Sequence, residues 1–141
     1  MLVLTFGAAG GRYALPTRSV VEVVPWIDVQ PVAHAPPWVA GYFSYRGCVT
    51  PVLDLGRMAG GEACRSTYSS RLILVRVPVQ QKARLIGLLA ERVATAHLAE
   101  ETPREEVGGW GPLLLDERGV FQFIYLDRLL TAEALAVLFP G

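Results

Sequence analysis

The amino-acid sequence predicts an all-β barrel protein that ends in one short helix. About ten short runs rich in apolar and β-branched residues are separated by Gly and Pro turns, a pattern typical of small barrels. Near the C-terminus the pattern changes, because Thr131 suits a helix N-cap while Leu135 and Leu138 fall on one helical face. With 141 residues, 52% hydrophobic and 18% charged, the chain can bury a core without a disulfide or a metal.

The first predicted strands are Leu2–Phe6 and Arg12–Leu15. In the first of these runs apolar residues alternate, as they do on a strand with one buried face. The glycine-rich segment between the two strands, Gly7–Gly11, is predicted to be a hairpin turn. It is not a phosphate-binding loop, because no Gly-Lys-Ser/Thr follows it.

The third predicted strand, Ser19–Val24, carries one carboxylate among valines. On a strand Val20, Glu22 and Val24 share one face. Burying an unpaired carboxylate is costly, so Glu22 must face either water or a partner. The residues alone leave open whether this strand is a solvent-facing edge or a contact surface.

A β-hairpin is predicted at residues 42–55, where Tyr42–Tyr45 and Val49–Leu55 are β-prone runs joined by Arg46-Gly47. Gly47 suits the turn because it adopts a positive φ without steric cost. Arg46 is then carried outward into solvent at the tip of the hairpin. Within this strand pattern Cys48 is predicted to be a buried small hydrophobe.

The rest of the chain alternates connections and strands. Four prolines between residues 25 and 37 exclude a helix there, and residues 56–70 are predicted to be a loop. The nearly continuous apolar run Arg71–Val77 indicates a central strand. The remaining predicted strands are Leu85–Ala90, Leu113–Asp116 and Val120–Leu126, and Glu91–Ala96 continues the first of these as a bent part of it or as a second strand. On the last of them Phe121, Phe123 and Tyr125 share one face, which is predicted to be core.

Charge and composition exclude several classes of function. Thirteen basic and thirteen acidic residues balance, and no charge block indicates a nucleic-acid-binding arm. No run approaches the roughly eighteen apolar residues of a membrane span, and the apolar N-terminus lacks the basic flank of a signal peptide. The expectation is therefore a cytoplasmic protein that binds no nucleic acid and is not inserted directly into a membrane.

No catalytic residue, metal site or cofactor is expected. The two cysteines, Cys48 and Cys64, give neither a disulfide framework nor a metal set, and a reducing compartment is expected for them. His34 has no further ligand at metal-binding spacing. The acidic cluster within residues 100–106 has no His, Lys or polar pocket residue converging on it, as catalysis would require.

The order of residues around the predicted hairpin resembles the signature of the CheW-like family, the small adaptor domains of bacterial chemosensory arrays. The common family form is Gly-Val-Ile-Asn-Leu-Arg-Gly-x-Val-x-Pro-Val-x-Asp-Leu, and here Ser44 and Tyr45 replace its Asn-Leu. The matching hairpin residues are Gly41, Arg46, Gly47, Val49, Pro51, Val52, Asp54 and Leu55, and outside the hairpin Glu22, Gly87, Glu91 and Val93 also fit the family pattern.

The resemblance implies two small five-stranded SH3-like β-barrels that share a core, with a short C-terminal helix, in a single domain of residues 1–141. It also implies a non-enzymatic adaptor, cytoplasmic and recruited to membrane-associated receptor arrays. Such an adaptor couples the cytoplasmic tip of chemoreceptors (methyl-accepting chemotaxis proteins) to the regulatory domain of a CheA-type histidine kinase. The receptor-binding residues implied in this way are Val20, Glu22, Gly41, Arg46 and Gly47.

Two further expectations concern the partners. In the family the kinase contact uses an apolar end of one barrel. The segment Tyr45-Arg46-Gly47 resembles adaptors of alternative chemosensory systems, such as the surface-sensing Wsp type with a cyclic-di-GMP output.

A different class of function stays open: an apolar barrel could bind a small ligand in a cavity lined by Trp26, Trp38 or Trp110.

Overall fold

The computed structural model describes residues 1–141, which form ten strands, three short α-helices and one 3₁₀ turn. The strands are β1 (Leu2–Ala8), β2 (Gly11–Pro16), β3 (Val20–Pro25), β4 (Val39–Tyr45), β5 (Cys48–Asp54), β6 (Arg71–Val79), β7 (Lys82–His97), β8 (Arg104–Glu105), β9 (Leu113–Asp116) and β10 (Gly119–Phe123). The helices are α1 (Leu55–Met58), α2 (Leu126–Leu129) and α3 (Ala132–Leu138), and the 3₁₀ turn is Thr17–Ser19. None of the helices is long and apolar enough to cross a membrane.

The strands fall into two groups that share β7. In the first group the order is β3-β6-β7-β5-β4, with β5 parallel to β7 and the other neighbours antiparallel. In the second group the order is β7-β1-β2-β10-β9-β8, with β10 parallel to β2. Strands β3 and β4 are therefore the two terminal strands of the first group.

The long strand β7 decides between two alternatives that the sequence left open. Leu85–Ala90 and Glu91–Ala96 were expected as a bent strand or as two strands, and the structure has one continuous strand of 16 residues. The bend is a local irregularity: Arg92 has a φ of 50°, and the pairing with β1 shifts register opposite Glu91. A bulge of this kind re-aims a strand without ending it, so the same strand serves both groups.

Two apolar clusters fill the molecule. The larger has 21 buried residues and is built mainly from the first group of strands. The smaller consists of Val3, Ala14, Leu114, Phe121 and Phe123. Strand β1 lies between them, because Leu4 and Phe6 face the larger cluster while Val3 faces the smaller one. Each fully buried Leu, Ile or Phe stabilises the fold by about 1.5–3 kcal/mol, because folding removes its apolar surface from water.

Several local predictions are confirmed. Strand β6 pairs with β3 on one side and β7 on the other, so it is central as expected. The Thr131 side chain accepts a hydrogen bond from the Ala134 amide and caps α3, whose Leu138 is buried. Helices α1 and α2 were not predicted, since each is only four residues long and lacks helical periodicity.

The prediction that Cys48 is buried is wrong. Cys48 directly follows the hairpin turn and is exposed, whereas Cys64 is buried. Both oxygens of Asp54 accept hydrogen bonds from the Cys64 amide, at 3.0 and 3.2 Å, and this draws the loop inward. The Cys64 thiol then donates to the carbonyl of Leu89 at 3.3 Å. Burial, reinforced by the nearby Asp54 charge, raises the pKa of Cys64 to about 12.

Candidate protein-interaction surface

The β4–β5 hairpin ends in a tight turn that presents an arginine. Tyr45 pairs with Cys48, and the two residues between them, Arg46 and Gly47, have φ values of 50° and 80°. Two positive φ angles are typical of the type I′ turn, whose twist matches that of a hairpin. The Arg46 side chain is 77% exposed, so the prediction of a solvated arginine at the hairpin tip is confirmed.

Gly41 has a different role from the turn glycine. It is buried in the middle of β4. The next residue, Tyr42, exchanges two backbone hydrogen bonds with Gln30, which brings the Gln30 carbonyl close to Gly41. A Cβ atom at Gly41 would lie 2.3 Å from the Gln30 oxygen, and its φ of 150° also disfavours a side chain. Gly41 therefore shapes the hairpin from behind, while Arg46 and Gly47 form its exposed tip.

Glu22 lies next to this tip although it is 24 residues before Arg46 in the chain. The hydroxyl of Tyr45 donates to Oε1 of Glu22, and Nη2 of Arg46 lies 3.5 Å from the same oxygen. These contacts join β3 to β4, which share no backbone pairing. Val20 is half-buried against the larger cluster, a bulge separates it from Glu22 in the pairing with β6, and Val21 and Val23 are exposed. The structure thus brings Glu22, Tyr45 and Arg46 together, with Gly47 beside them in the turn, whereas Val20 packs against the larger cluster.

Sequence reasoning missed the contribution of Tyr45. Its ring lies 6.2 Å from that of Phe43, which packs against the larger cluster, and the Arg46 guanidinium lies 5.1 Å from the Tyr45 ring centroid. The hydrogen bond to Glu22 and partial burial raise the pKa of Tyr45, while the positive charges of Arg46 and Arg76 oppose this shift. The alternation of Phe43 and Tyr45 with polar Ser44 was the available signal for an inward-facing Tyr45.

A second surface feature lies at the end of the smaller cluster. A cleft of about 510 Å³ has Leu114 and Phe123 in its wall and Arg18 and Arg104 among its polar residues. Arg104 donates to the hydroxyl of Tyr125 at 3.0 Å. Close by, Leu115 and Val120 pair across β9 and β10 and are 48% and 60% exposed. This end of the strand group therefore presents apolar side chains to solvent.

The tryptophans do not gather around a cavity. Trp26 and Trp38 are partly buried and pack against the larger cluster, and Trp110 packs on Tyr13 with ring centroids 5.6 Å apart. None of the three lines the 510 Å³ cleft, and Trp110 alone lines a separate open recess of about 270 Å³ beside Tyr13 and Met58. No group of three or more His, Cys, Asp or Glu side chains has the arrangement of a metal site.

Comparison with known proteins decides the family. Residues 2–119 match the family model described as CheW-like domain. The chain belongs to the CheW-like family. The match covers β1 to the start of β10, and the hairpin whose residues carry the resemblance lies inside it. Helices α2 and α3 follow the matched residues.

CheW relatives are similar at low identity. One is the chemotaxis protein CheW of Rhizobium meliloti (strain 1021), 28% identical over 92 residues, which are 65% of this chain and 57% of the relative. Another is the chemotaxis protein CheW of Helicobacter pylori (strain ATCC 700392 / 26695), 27% identical over 96 residues, which are 68% of this chain and 56% of the relative. The chain thus spans little more than half the length of these curated relatives.

A solved structure is similar over almost the whole CheW-like chain. The scaffolding protein TtCheW from Thermoanaerobacter tengcongensis matches with a TM-score of 0.79 at 20% identity, over 94% of this chain and 89% of that chain. At 20% identity the match is evidence about the fold alone, and it confirms the predicted CheW-like β-barrel architecture. The small-ligand barrel is not favoured by any of these findings.

Proposed function

We propose that residues 1–141 act as one CheW-like domain, a non-enzymatic adaptor that couples chemoreceptors to a CheA-type histidine kinase. Family membership and the names of the relatives support this assignment. The observation that carries it is the cluster of Glu22, Tyr45 and Arg46 at the join of β3 and β4. An exposed arginine next to half-buried apolar side chains has the composition of a protein-binding hot spot.

The receptor contact is proposed at this join. Val20, Glu22, Arg46 and Gly47 form its surface, and Gly41 keeps the hairpin in place from behind. Val49 is 79% exposed directly beyond the turn and extends the apolar part of the surface. In this proposal the partner is the cytoplasmic tip of a chemoreceptor, and the adaptor works in the cytoplasm at receptor arrays.

The kinase contact is proposed at a separate place, because an adaptor must hold two partners at once. The exposed pair Leu115 and Val120, which lines a shallow recess of about 260 Å³ on the β9–β10 hairpin, is proposed as the apolar barrel end. Neighbouring exposed apolar side chains are a feature of protein interaction sites. The partner here is the regulatory domain of the kinase.

Ternary assembly tests the coupling function. The chain, a receptor-tip fragment and the kinase regulatory domain from the same organism are mixed and separated by size-exclusion chromatography. The expected result is one complex that holds all three proteins, with neither partner recovering the other when the chain is left out. Recovery of the partners together without the chain would contradict the coupling role.

A single substitution tests the placement of the kinase contact. Val120→Glu puts a charge at a 60% exposed position, so the fold should persist while kinase binding falls at least about tenfold and receptor binding is unchanged. Val137→Glu, at a 45% exposed position on α3, is the matched control and should bind both partners normally. Equal kinase affinity of the two variants would place the contact elsewhere.

An output pathway is proposed from the two residues that replace the common family pair. Since Ser44-Tyr45 replaces the common Asn-Leu, the partner set is proposed to be that of an alternative, surface-sensing system of the Wsp type. Binding to receptor tips of both kinds, where the organism has both, tests this. Tighter binding to a flagellar chemotaxis receptor than to a surface-sensing one would contradict it.

A further inference from the structure

A recess of about 340 Å³ opens where the β4–β5 hairpin, the β6–β7 hairpin and the end of α3 meet. The hydroxyl of Tyr42 on β4 donates to the carbonyl of Leu138 on α3 at 3.0 Å. This bond ties the end of the helix to the hairpin, so the walls of the recess hold one another in place. Of the residues in the receptor and kinase surfaces proposed above, the recess shares only Val49.

The recess carries two positive charges and no acidic side chain. Lys82 and Arg84 both line it and lie two residues apart on β7, so their side chains leave the strand on the same face. Both residues are exposed, and neither takes part in any of the five ion pairs of the chain. Two unpaired cations on one concave surface create a positive potential that attracts an anionic group.

Arg84 is held in position by an aromatic ring. Its guanidinium carbon lies 4.6 Å from the centroid of the Phe139 ring, the geometry of a cation–π contact. Stacking covers one face of the planar guanidinium, whereas its N–H donors lie in the plane and point outward from the edges. A side chain that is already restrained loses less conformational freedom on binding. Arg84 is therefore preorganised for a planar, bidentate bond to a carboxylate.

The apolar part of the recess indicates the size of the occupant. Val49 and Val79 line it beside the two cations, and Val49 is 79% exposed, so the apolar surface continues outward toward the β4–β5 turn. A small dicarboxylate would leave this apolar surface in water. A peptide with an apolar side chain next to its carboxylates would cover it, and the burial would stabilise the complex.

We propose that this recess is a docking site for an acidic segment of a partner protein. Arg84 binds one carboxylate of the segment, Lys82 attracts a second, and an apolar side chain between them packs on Val49 and Val79. The site is additional to the receptor and kinase contacts proposed above. It depends on neither of them, because its walls and charges belong to the β6–β7 hairpin and α3 as well as to the β4–β5 hairpin.

An NMR titration of the whole chain tests the proposal. The probe is the synthetic peptide acetyl-Glu-Leu-Glu-Leu-Glu-amide, added to the ¹⁵N-labelled protein. We expect saturable shifts of the backbone amides of residues 79–84 and of Phe139. The same peptide with Gln in place of each Glu should cause no such shifts. The proposal is wrong if the acidic peptide leaves these amides unmoved, or if its shifts are centred on another part of the chain.

Two arginines of the same hairpin give a matched pair of variants. Arg84→Gln removes the charge and keeps most of the stem, and it should weaken peptide binding at least about fivefold. Arg76→Gln is the control, because Arg76 is also exposed but pairs with Leu85, whereas Arg84 pairs with Val77. Adjacent pairs point to opposite faces of a hairpin, so this variant should bind as wild type does. An equal loss in both variants would mean general charge attraction and would overturn the site.

A charge reversal and a lipid control complete the test. Arg84→Glu should no longer bind the acidic peptide and should instead bind acetyl-Lys-Leu-Lys-Leu-Lys-amide, with shifts at the same amides. Thermal melting of each variant shows that the fold persists. Sedimentation with phosphatidylglycerol vesicles examines the other source of anionic groups. If wild type sediments with the vesicles, Arg84→Gln does not, and the acidic peptide does not bind, then the recess binds lipid headgroups and the protein-segment proposal is refuted.

Discussion

Replacing Arg46 by alanine separates binding from stability at the proposed receptor surface. The side chain is 77% exposed, and its one ion pair, with Glu22 at 3.5 Å, is long and solvated. Surface pairs of this kind are worth about 0–1 kcal/mol. The backbone at position 46 has a φ of 50°, which alanine tolerates no better than arginine. The free energy of unfolding should therefore change by no more than about 0.5 kcal/mol.

Receptor binding should respond far more strongly. The guanidinium has five donors in a planar fork, and most of them face solvent in the free chain. A contact of this type, once buried between two proteins, costs about 2 kcal/mol or more when it is removed. We therefore expect Arg46→Ala to weaken receptor-tip binding at least about tenfold, the equivalent of about 1.4 kcal/mol. Arg46→Lys should recover only part of this, because lysine lacks the planar fork.

Thermal melting and titration against a receptor-tip fragment check both parts. Arg118→Ala is the matched control, since Arg118 is also an exposed arginine in a two-residue hairpin turn, between β9 and β10. It should bind the receptor tip as wild type does. If Arg46→Ala unfolds the protein, Arg46 is structural. If the variant binds as tightly as wild type, the receptor contact does not involve this turn.

Three further outcomes are expected. Thiol labelling near pH 8 should modify Cys48 quickly and Cys64 only on unfolding, because Cys48 is exposed whereas burial raises the pKa of Cys64 to about 12; equal rates would contradict the placement of the loop that ends at Cys64. Arg12 and Asp116 form a bidentate pair at 2.6 and 3.1 Å that lowers the pKa of Asp116, so its contribution is present above the unfolded-state pKa of about 3.9 and is lost as the pH falls through the lower folded value. Asp116→Asn should flatten the acid limb of a stability–pH curve, and an unaltered limb would assign the acid sensitivity to other groups. Gly41→Ala should lower stability by about 1–3 kcal/mol in a denaturant titration, because its Cβ meets the Gln30 carbonyl at 2.3 Å, while Gly47→Ala meets no atom within 4 Å and should cost less; a larger loss at Gly47 would refute the close-approach argument.

Local features of the chain were predictable because short segments decide them. The two-residue turn at Arg46-Gly47 follows from two β-prone runs and one glycine, and the cap of α3 follows from Thr131. The contact of Tyr45 with Glu22 was not predictable in this way. It depends on how the first group of strands curls round. The two terminal strands, β3 and β4, come next to each other in space, so the side chains of Glu22 and Tyr45 meet.

The errors have equally specific causes. Cys48 was placed in the core because its neighbours are apolar, but the residue that follows a hairpin turn projects from the molecule. Cys64 was placed in a loop, and it is in one. The hydrogen bonds from its amide to Asp54 nevertheless fold that loop over the core. A contact between residues ten apart leaves no periodic pattern of apolar residues in the sequence, so it could not be predicted. The place of the bend in β7 was not predicted, because it lies at Arg92. The positive φ of this residue is uncommon for any residue other than glycine.

The position of the proposed receptor surface has a consequence for how its residues can vary. The first group of strands is held by backbone pairing everywhere except between β3 and β4, where the described hydrogen bonds are those of Glu22, Tyr45 and Arg46. The register of the paired strands is set by which of their residues face the core, so changes to those residues can move every side chain of a strand to the other face. Side chains at an unpaired join are free of that constraint and contribute little to stability. Changes at positions 22, 45 and 46 can therefore alter which partner is bound while the strands, their register and both apolar clusters remain as they are.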